Sequence, residues 1–191
     1  SIVGFPSTIC NCTKMEGMFA DFNKIKELPE DFGNLMNLTE VSFNHNEINL
    51  LPASVGGLTN LKMLRLAHNK IVNLPASIGK CAKLKGLFLD FNKLARLPEE
   101  IGGLVLLEDF NLEDNVLVKL PKSVCKGELK ALKGLYLQNN RLAALGFKPQ
   151  LMPALRKMSI AGNDFGKDAT LKAEVEKDLK DAGIEEQRRA E

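Results

Sequence analysis

The chain has 191 residues with 26 Lys+Arg against 24 Asp+Glu, and is 45 % hydrophobic but only 6 % aromatic. A net charge of +2 argues against a polybasic grip on nucleic acid. No apolar run approaches the roughly 20 residues of a bilayer span, which argues against membrane insertion. With no Trp and one Tyr, something other than large rings must fill the core, and leucine is abundant.

The chain opens partway round a repeat. Ile2, Phe5, Pro6, Ile9 and Cys12 align with Ile25, Leu28, Pro29, Phe32 and Leu35, so residues 1–14 read as a partial first coil. Seven asparagines then fall in register: Asn23, Asn46, Asn69, Asn92, Asn115, Asn140 and Asn163, at steps of 23, 23, 23, 23, 25 and 23 residues. Each closes a segment of the form L-x-x-L-x-L-x-x-N-x-L, seen most cleanly from Leu61 to Ile71 and from Leu84 to Leu94. Downstream runs L-P-x-x-I/V/F-G, as in Leu74-Pro75 to Ile78-Gly79 and Leu97-Pro98 to Ile101-Gly102. Six of the eight prolines keep this one phase.

The pattern has a physical logic. Alternating apolar positions around L-x-L mark a short strand with a buried inward face. One coil cannot bury its own apolar side, so neighbours must stack, and successive strands form a parallel sheet. An asparagine amide both donates and accepts, so it satisfies backbone groups between coils. Proline steers the chain round the far side with its fixed φ.

The repeat loosens toward the end. The fifth is two residues longer and has Cys125 where glycine is expected, while Leu145 is followed by Gly146 rather than proline. Beyond Asn163, Leu171, Val175 and Leu179 are spaced as one helical stripe. Asp168 or Thr170 suits the N-cap and Gly183 the C-terminal stop. The expected organisation is a solenoid over 1–167 and a C-terminal capping helix with a charged tail over 168–191, frayed from Glu185. Four scattered cysteines suggest buried thiols rather than disulfides, with Cys12 and Cys81 in the core slot of Leu35 and Leu58. The N-x-T sequons at Asn11 and Asn37 are read as chance.

These motifs resemble leucine-rich repeat proteins over residues 1 to about 165. The expected fold is an α/β solenoid, a right-handed curved horseshoe of about seven coils with a parallel concave sheet. The L-P-x-x-I-G form is similar to the 23-residue Ras-group repeats of Ras suppressor, Scribble-type and plant intracellular Ras-group-related proteins. That resemblance implies a signalling scaffold or adaptor, with a small GTPase or phosphatase complex among possible partners. The lack of flanking cysteine-rich caps points to the cytoplasm.

In such a stack the x positions face the concave side and are free to bind. One column runs Phe19, Ser42, Arg65, Phe88, Asn111, Tyr136, Ser159, and a second Phe22, His45, His68, Phe91, Asp114, Asn139, Gly162. Exposed aromatics at Phe19, Phe22, Phe88, Phe91 and Tyr136 suggest a partner surface. Glu108, Asp109, Glu113 and Asp114 form an acidic group flanked by Lys85 and Lys133, suited to a basic patch. His45 and His68 are expected about 5 Å apart on neighbouring coils, as surface histidines rather than metal ligands. No nucleophile, phosphate-loop or metalloprotease motif is present.

The expectation is therefore a non-enzymatic protein-binding module, a monomer in isolation, with no cofactor, metal, nucleic acid or membrane partner. The partner-binding set is Phe19, Phe22, His45, Arg65, His68, Phe88, Phe91, Asp109, Glu113, Asp114 and Tyr136. An architectural subunit, or the sensing portion of a receptor or effector, are the alternatives.

Overall fold

The computed structural model describes residues 1–164 and 169–186. One strand per coil builds a parallel sheet in sequence order: β1 (Gly17–Phe19), β2 (Glu40–Ser42), β3 (Met63–Arg65), β4 (Gly86–Phe88), β5 (Asp109–Asn111), β6 (Gly134–Tyr136), β7 (Lys157–Ser159) and β8 (Glu185–Glu186). The register is in phase throughout, so that Phe19 lies beside Ser42, Ser42 beside Arg65, and Arg65 beside Phe88. The central residue of each of the first seven strands (Met18, Val41, Leu64, Leu87, Phe110, Leu135, Met158) turns into the core, and its neighbours turn to the other face.

The opposite side is made of short 3-10 turns, Ser7–Asn11, Glu30–Asn34, Ala53–Gly57, Ala76–Lys80 and Glu99–Gly103. Each is entered through a proline, with φ between −56° and −69° from Pro6 to Pro98, values the ring favours anyway. Here the glycine of each I-G pair is needed for close approach. A Cβ on Gly33 or Gly79 would collide with the carbonyl oxygen of Ser54 or Glu100 on the next coil. On Gly56 it would sit 2.5 Å from that of Ser77. Coil five departs as its longer sequence requires: a turn of α-helix, α1 (Lys122–Cys125), replaces the 3-10 turn, and Gly127 takes up a left-handed φ of 72°.

Leucines, with Phe32, Phe43 and Phe110, form one continuous core along the stack. Cys81 and Leu58 are fully buried in their shared slot, but Cys12 is exposed, which corrects the expectation for it. The slot is closed by coils on both sides, and Cys12 has a neighbour on only one. The buried thiol of the first coil is instead Cys10, while Cys125 is half-buried.

At the far end, α2 (Ala169–Asp181) sends Val175 and Leu179 into the core, joined by Ile184. It ends on Gly183 at φ 67°, where Gly183 N–H donates to Lys180 O and Ile184 N–H to Leu179 O, both at 3.0 Å. This pair of bonds is the Schellman closure expected of a glycine stop. Thr170 lies inside the helix rather than before it. Asp168, the other candidate cap, falls outside the described residues, as does the Leu171 side chain. Glu185 and Glu186, expected to fray, instead extend the sheet beside Lys157 and Met158, and the rest of the tail, 187–191, lies outside the described residues.

Candidate binding face

Behind the sheet, the repeated asparagines tie coil to coil. Asn92 Nδ2 donates to Leu66 O of the preceding coil at 2.9 Å and to Leu89 O and Asp90 O of its own. Its Oδ1 accepts Ile71 N–H at 2.9 Å. Asn46, Asn69, Asn115, Asn140 and Asn163 repeat the arrangement, and all are nearly buried. Asn23, at the exposed first coil, bonds Ile2 N–H at 2.7 Å and two carbonyls of its own turn.

The residue before each of these asparagines adopts a left-handed backbone. Phe22, His45, His68, Phe91, Asp114 and Asn139 all have φ between 51° and 56°, and Gly162 follows at 71°. That conformation costs a non-glycine residue roughly 1–2 kcal/mol. It also swings every side chain of the column to the same side, so the four consecutive rings stack. Phe22 lies on His45 at 4.3 Å between centroids, His45 on His68 at 4.2 Å, and His68 on Phe91 at 4.2 Å, with planes within 7–11° of parallel. Such pairs contribute about 0.5–1.5 kcal/mol each beyond burial, which offsets the strain. The histidine separation is close to that expected, and the face-to-face ladder adds an arrangement that spacing did not show. Parallel imidazoles project their nitrogen lone pairs along parallel lines, so the two do not converge on one ion. Among the described residues no cluster of three or more metal-ligating side chains forms.

The aromatics of the other column have a packing partner that the sequence reading missed. Phe19, Phe88 and Tyr136 each fold over the glycine two residues earlier: a Cβ on Gly17 would lie 2.8 Å from the Phe19 ring, on Gly86 2.9 Å from Phe88, on Gly134 3.0 Å from the Tyr136 hydroxyl. The signal, G-x-F or G-x-Y, stands in the sequence three times at a spacing that places both residues on one strand face. Phe19 remains 63 % exposed and Phe22 75 %, whereas Phe88, Phe91 and Tyr136 are half-buried.

The acidic group is smaller than expected. Glu108 is held between Lys85 at 3.3 Å and Lys133 at 2.5 Å, and these lysines hold its carboxyl below its ordinary value, the Lys133 bond most of all. Glu113 is only 7 % exposed, which corrects its expected place on an open surface. Its column lies against the next coil, where Asp21 accepts Asn44 N–H at 2.6 Å and Asn44 accepts Ala67 N–H at 2.8 Å. Asp114 accepts from the Asn139 amide at 3.2 Å. Asp109 is exposed and forms no ion pair among the described residues. Arg65 pairs with Glu40 one strand away. Burial first, and then the Asp109 charge, push the Tyr136 hydroxyl above its ordinary value of 10.

One strand per coil, an asparagine row beneath the sheet and proline-led turns opposite define a leucine-rich-repeat solenoid. Residues 60–117 match the family model described as Leucine rich repeat. Among solved structures, a leucine-rich-repeat protein of Leptospira interrogans is 27 % identical with a TM-score of 0.63, covering 84 % of this chain and 52 % of its own. The plant peptide hormone receptor RGFR1 in complex with RGF2 is 26 % identical at a TM-score of 0.77, covering 84 % and 26 %. An internalin of Listeria monocytogenes shares the fold at 19 % identity and a TM-score of 0.73, covering 97 % and 51 %. The chain thus spans about half the length of two of these proteins and a quarter of the third. No curated protein gives a significant match. No helix among the described residues is long and apolar enough to cross a membrane.

Proposed function

We propose that this chain is a non-enzymatic protein-binding module that engages its partner across the concave sheet. The observation that carries the reading is the ring ladder from Phe22 to Phe91, beside the 63 %-exposed Phe19. Stiff rings held in place by their neighbours lose little entropy on binding, and aromatic anchors are enriched where binding energy concentrates. The partner-binding set is Phe19, Phe22, His45, Arg65, His68, Phe88, Phe91, Asp109, Asp114 and Tyr136. The receptor neighbour with its bound RGF2 supports a protein or peptide as ligand. Resemblance of the L-P-x-x-I-G repeats to the Ras group supports a signalling scaffold or adaptor, with a small GTPase or phosphatase complex as partner. Four cysteines outside any disulfide fit a reducing cytoplasm. In this reading the helix Ala169–Asp181 caps the last coil of the stack.

The test is selection of peptides from a random phage-displayed library on the wild-type protein. Their binding to Phe19→Ala/Phe22→Ala is then compared with binding to a control off the sheet, Val105→Ser, in the exposed turn between Glu99–Gly103 and β5. Loss in the first variant alone is the expected result. Equal binding to both would rule out the concave face.

A further inference from the structure

We infer that Asp109, set between the rings of Phe88 and Tyr136, is the seat for a basic side chain, guanidinium or ammonium, presented by the protein partner. This rests on the concave-face reading and adds to it the chemistry of one contact.

Asp109 begins β5 and pairs in register with Gly86 on one side and Gly134 on the other. Its immediate neighbours in the column therefore carry no side chain, although the Met63 thioether reaches over Gly86 and Lys157 follows Gly134. Two residues along, Phe88 and Tyr136 bend back over those same glycines. A Cβ at Gly134 would lie 2.8 Å from Asp109 Oδ1 and 3.0 Å from the Tyr136 hydroxyl, so acid and ring share one hollow. Asn111, between the two rings in register, forms the floor and spends its Oδ1 on Glu113 N–H at 3.0 Å.

Charge decides the occupant. The lysines that flank Asp109 in the neighbouring column, Lys85 and Lys133, are both held by Glu108. The exposed Asp109 carboxylate thus forms no ion pair with any cation among the described residues. Strands β4 and β6 stand two sheet spacings apart, about 10 Å. A cation midway lies about 5 Å from each aromatic wall, inside the ~6 Å reach of cation–π attraction. A carboxylate below and a ring on either side suit a cationic head group and repel an anionic one.

The experiment follows amide shifts of the nitrogen-15-labelled protein on titration with N-acetyl-arginine amide, against its neutral isostere N-acetyl-citrulline amide. Saturable shifts at Phe88, Asp109, Asn111 and Tyr136 are expected for the arginine probe, with citrulline at least about tenfold weaker. Asp109→Asn should remove the difference between probes. Phe88→Leu should weaken the arginine probe severalfold with the carboxylate intact, which simple charge attraction would not do. Equal shifts from both probes, or unchanged arginine binding in Asp109→Asn, overturn the inference. Library-selected peptides separate the two readings: binding lost in Phe19→Ala/Phe22→Ala but kept in Asp109→Asn removes only this contact. Binding indifferent to both variants removes the concave face as well.

Discussion

The imidazole rings of His45 and His68 stack at 4.2 Å and 11°, and both residues hold the same left-handed backbone at φ 53°. The two facts are coupled. A left-handed residue at one coil points its ring where the next coil, one strand spacing on, points its own. Strain in the backbone and attraction between the rings therefore enter the same balance, and substitutions can separate them.

Replacing His68 by alanine removes both of its ring contacts yet keeps the backbone strain. Replacing it by glycine removes the contacts and the strain together. His68→Gly should therefore be more stable than His68→Ala by about 1 kcal/mol, with glycine about 1 and alanine about 2 kcal/mol below wild type. Urea denaturation with matched m-values reads the difference. Equal midpoints for the two variants would show that the backbone at position 68 is not strained.

Asn92 is 8 % exposed and joins three carbonyls and one N–H across two coils. Leucine is similar in size but leaves those groups buried without partners. Asn92→Leu should cost about 3–5 kcal/mol. Asn92→Asp, which keeps the acceptor and loses the donors, should fall nearly as far. An unchanged melting temperature for either would contradict a structural role for the ladder.

The convex glycines give a geometric prediction. Gly79→Ala forces a Cβ onto the Glu100 carbonyl, a backbone atom with no rotamer to relieve the clash, whereas nothing lies within 4 Å of a Cβ at Gly4. Alanine at 79 should destabilise by about 1–3 kcal/mol, and alanine at Gly4 should be neutral. Paired thermal melts decide this.

Glu99 accepts the N–H groups of Lys122 and Ser123 at 3.1 and 3.0 Å, and these backbone bonds hold its carboxyl below the ordinary 4.5. A carboxyl with a depressed folded value stabilises the fold fully above its unfolded value. The contribution is lost as pH falls through the folded one. Thermal stability should thus drop on acidification below about pH 4.5. Glu99→Gln should make that drop shallower while lowering stability slightly at neutral pH.

Thiol reactivity should follow burial. Cys12 is exposed, while burial pushes the Cys81 thiol up to about 11. A maleimide at pH 7 should label Cys12 promptly, Cys125 more slowly, and Cys81 only as fast as the protein unfolds. Intact-mass time courses, with and without urea, check the order. Prompt labelling of Cys81 would show that its slot opens locally.

Much of this molecule was legible as a string. The 23-residue asparagine period fixes the coil length, and L-x-L places a strand in every coil. The proline phase locates each convex turn, and the glycine at 183 marks the end of the last helix. All of these are local rules repeated in step, so one chain of residues contains them. Cys12 shows the limit even of a repeat: its slot is a core slot only where coils lie on both sides.

The candidate face was only half legible. Column membership of Phe22, His45, His68 and Phe91 follows from counting, but whether those rings splay or stack depends on a left-handed φ and on contacts between residues 23 apart. In the same way, Glu108, Asp109, Glu113 and Asp114 are equal letters in one short segment. Tertiary structure gives Glu108 to two lysines, buries Glu113 and leaves Asp109 open between two rings. Sequence by itself determined the repeating architecture, because burial of an apolar face has one period and every coil obeys it. Only the stacked structure decided which charges and rings remain available, because availability is a property of neighbouring coils and not of any single one.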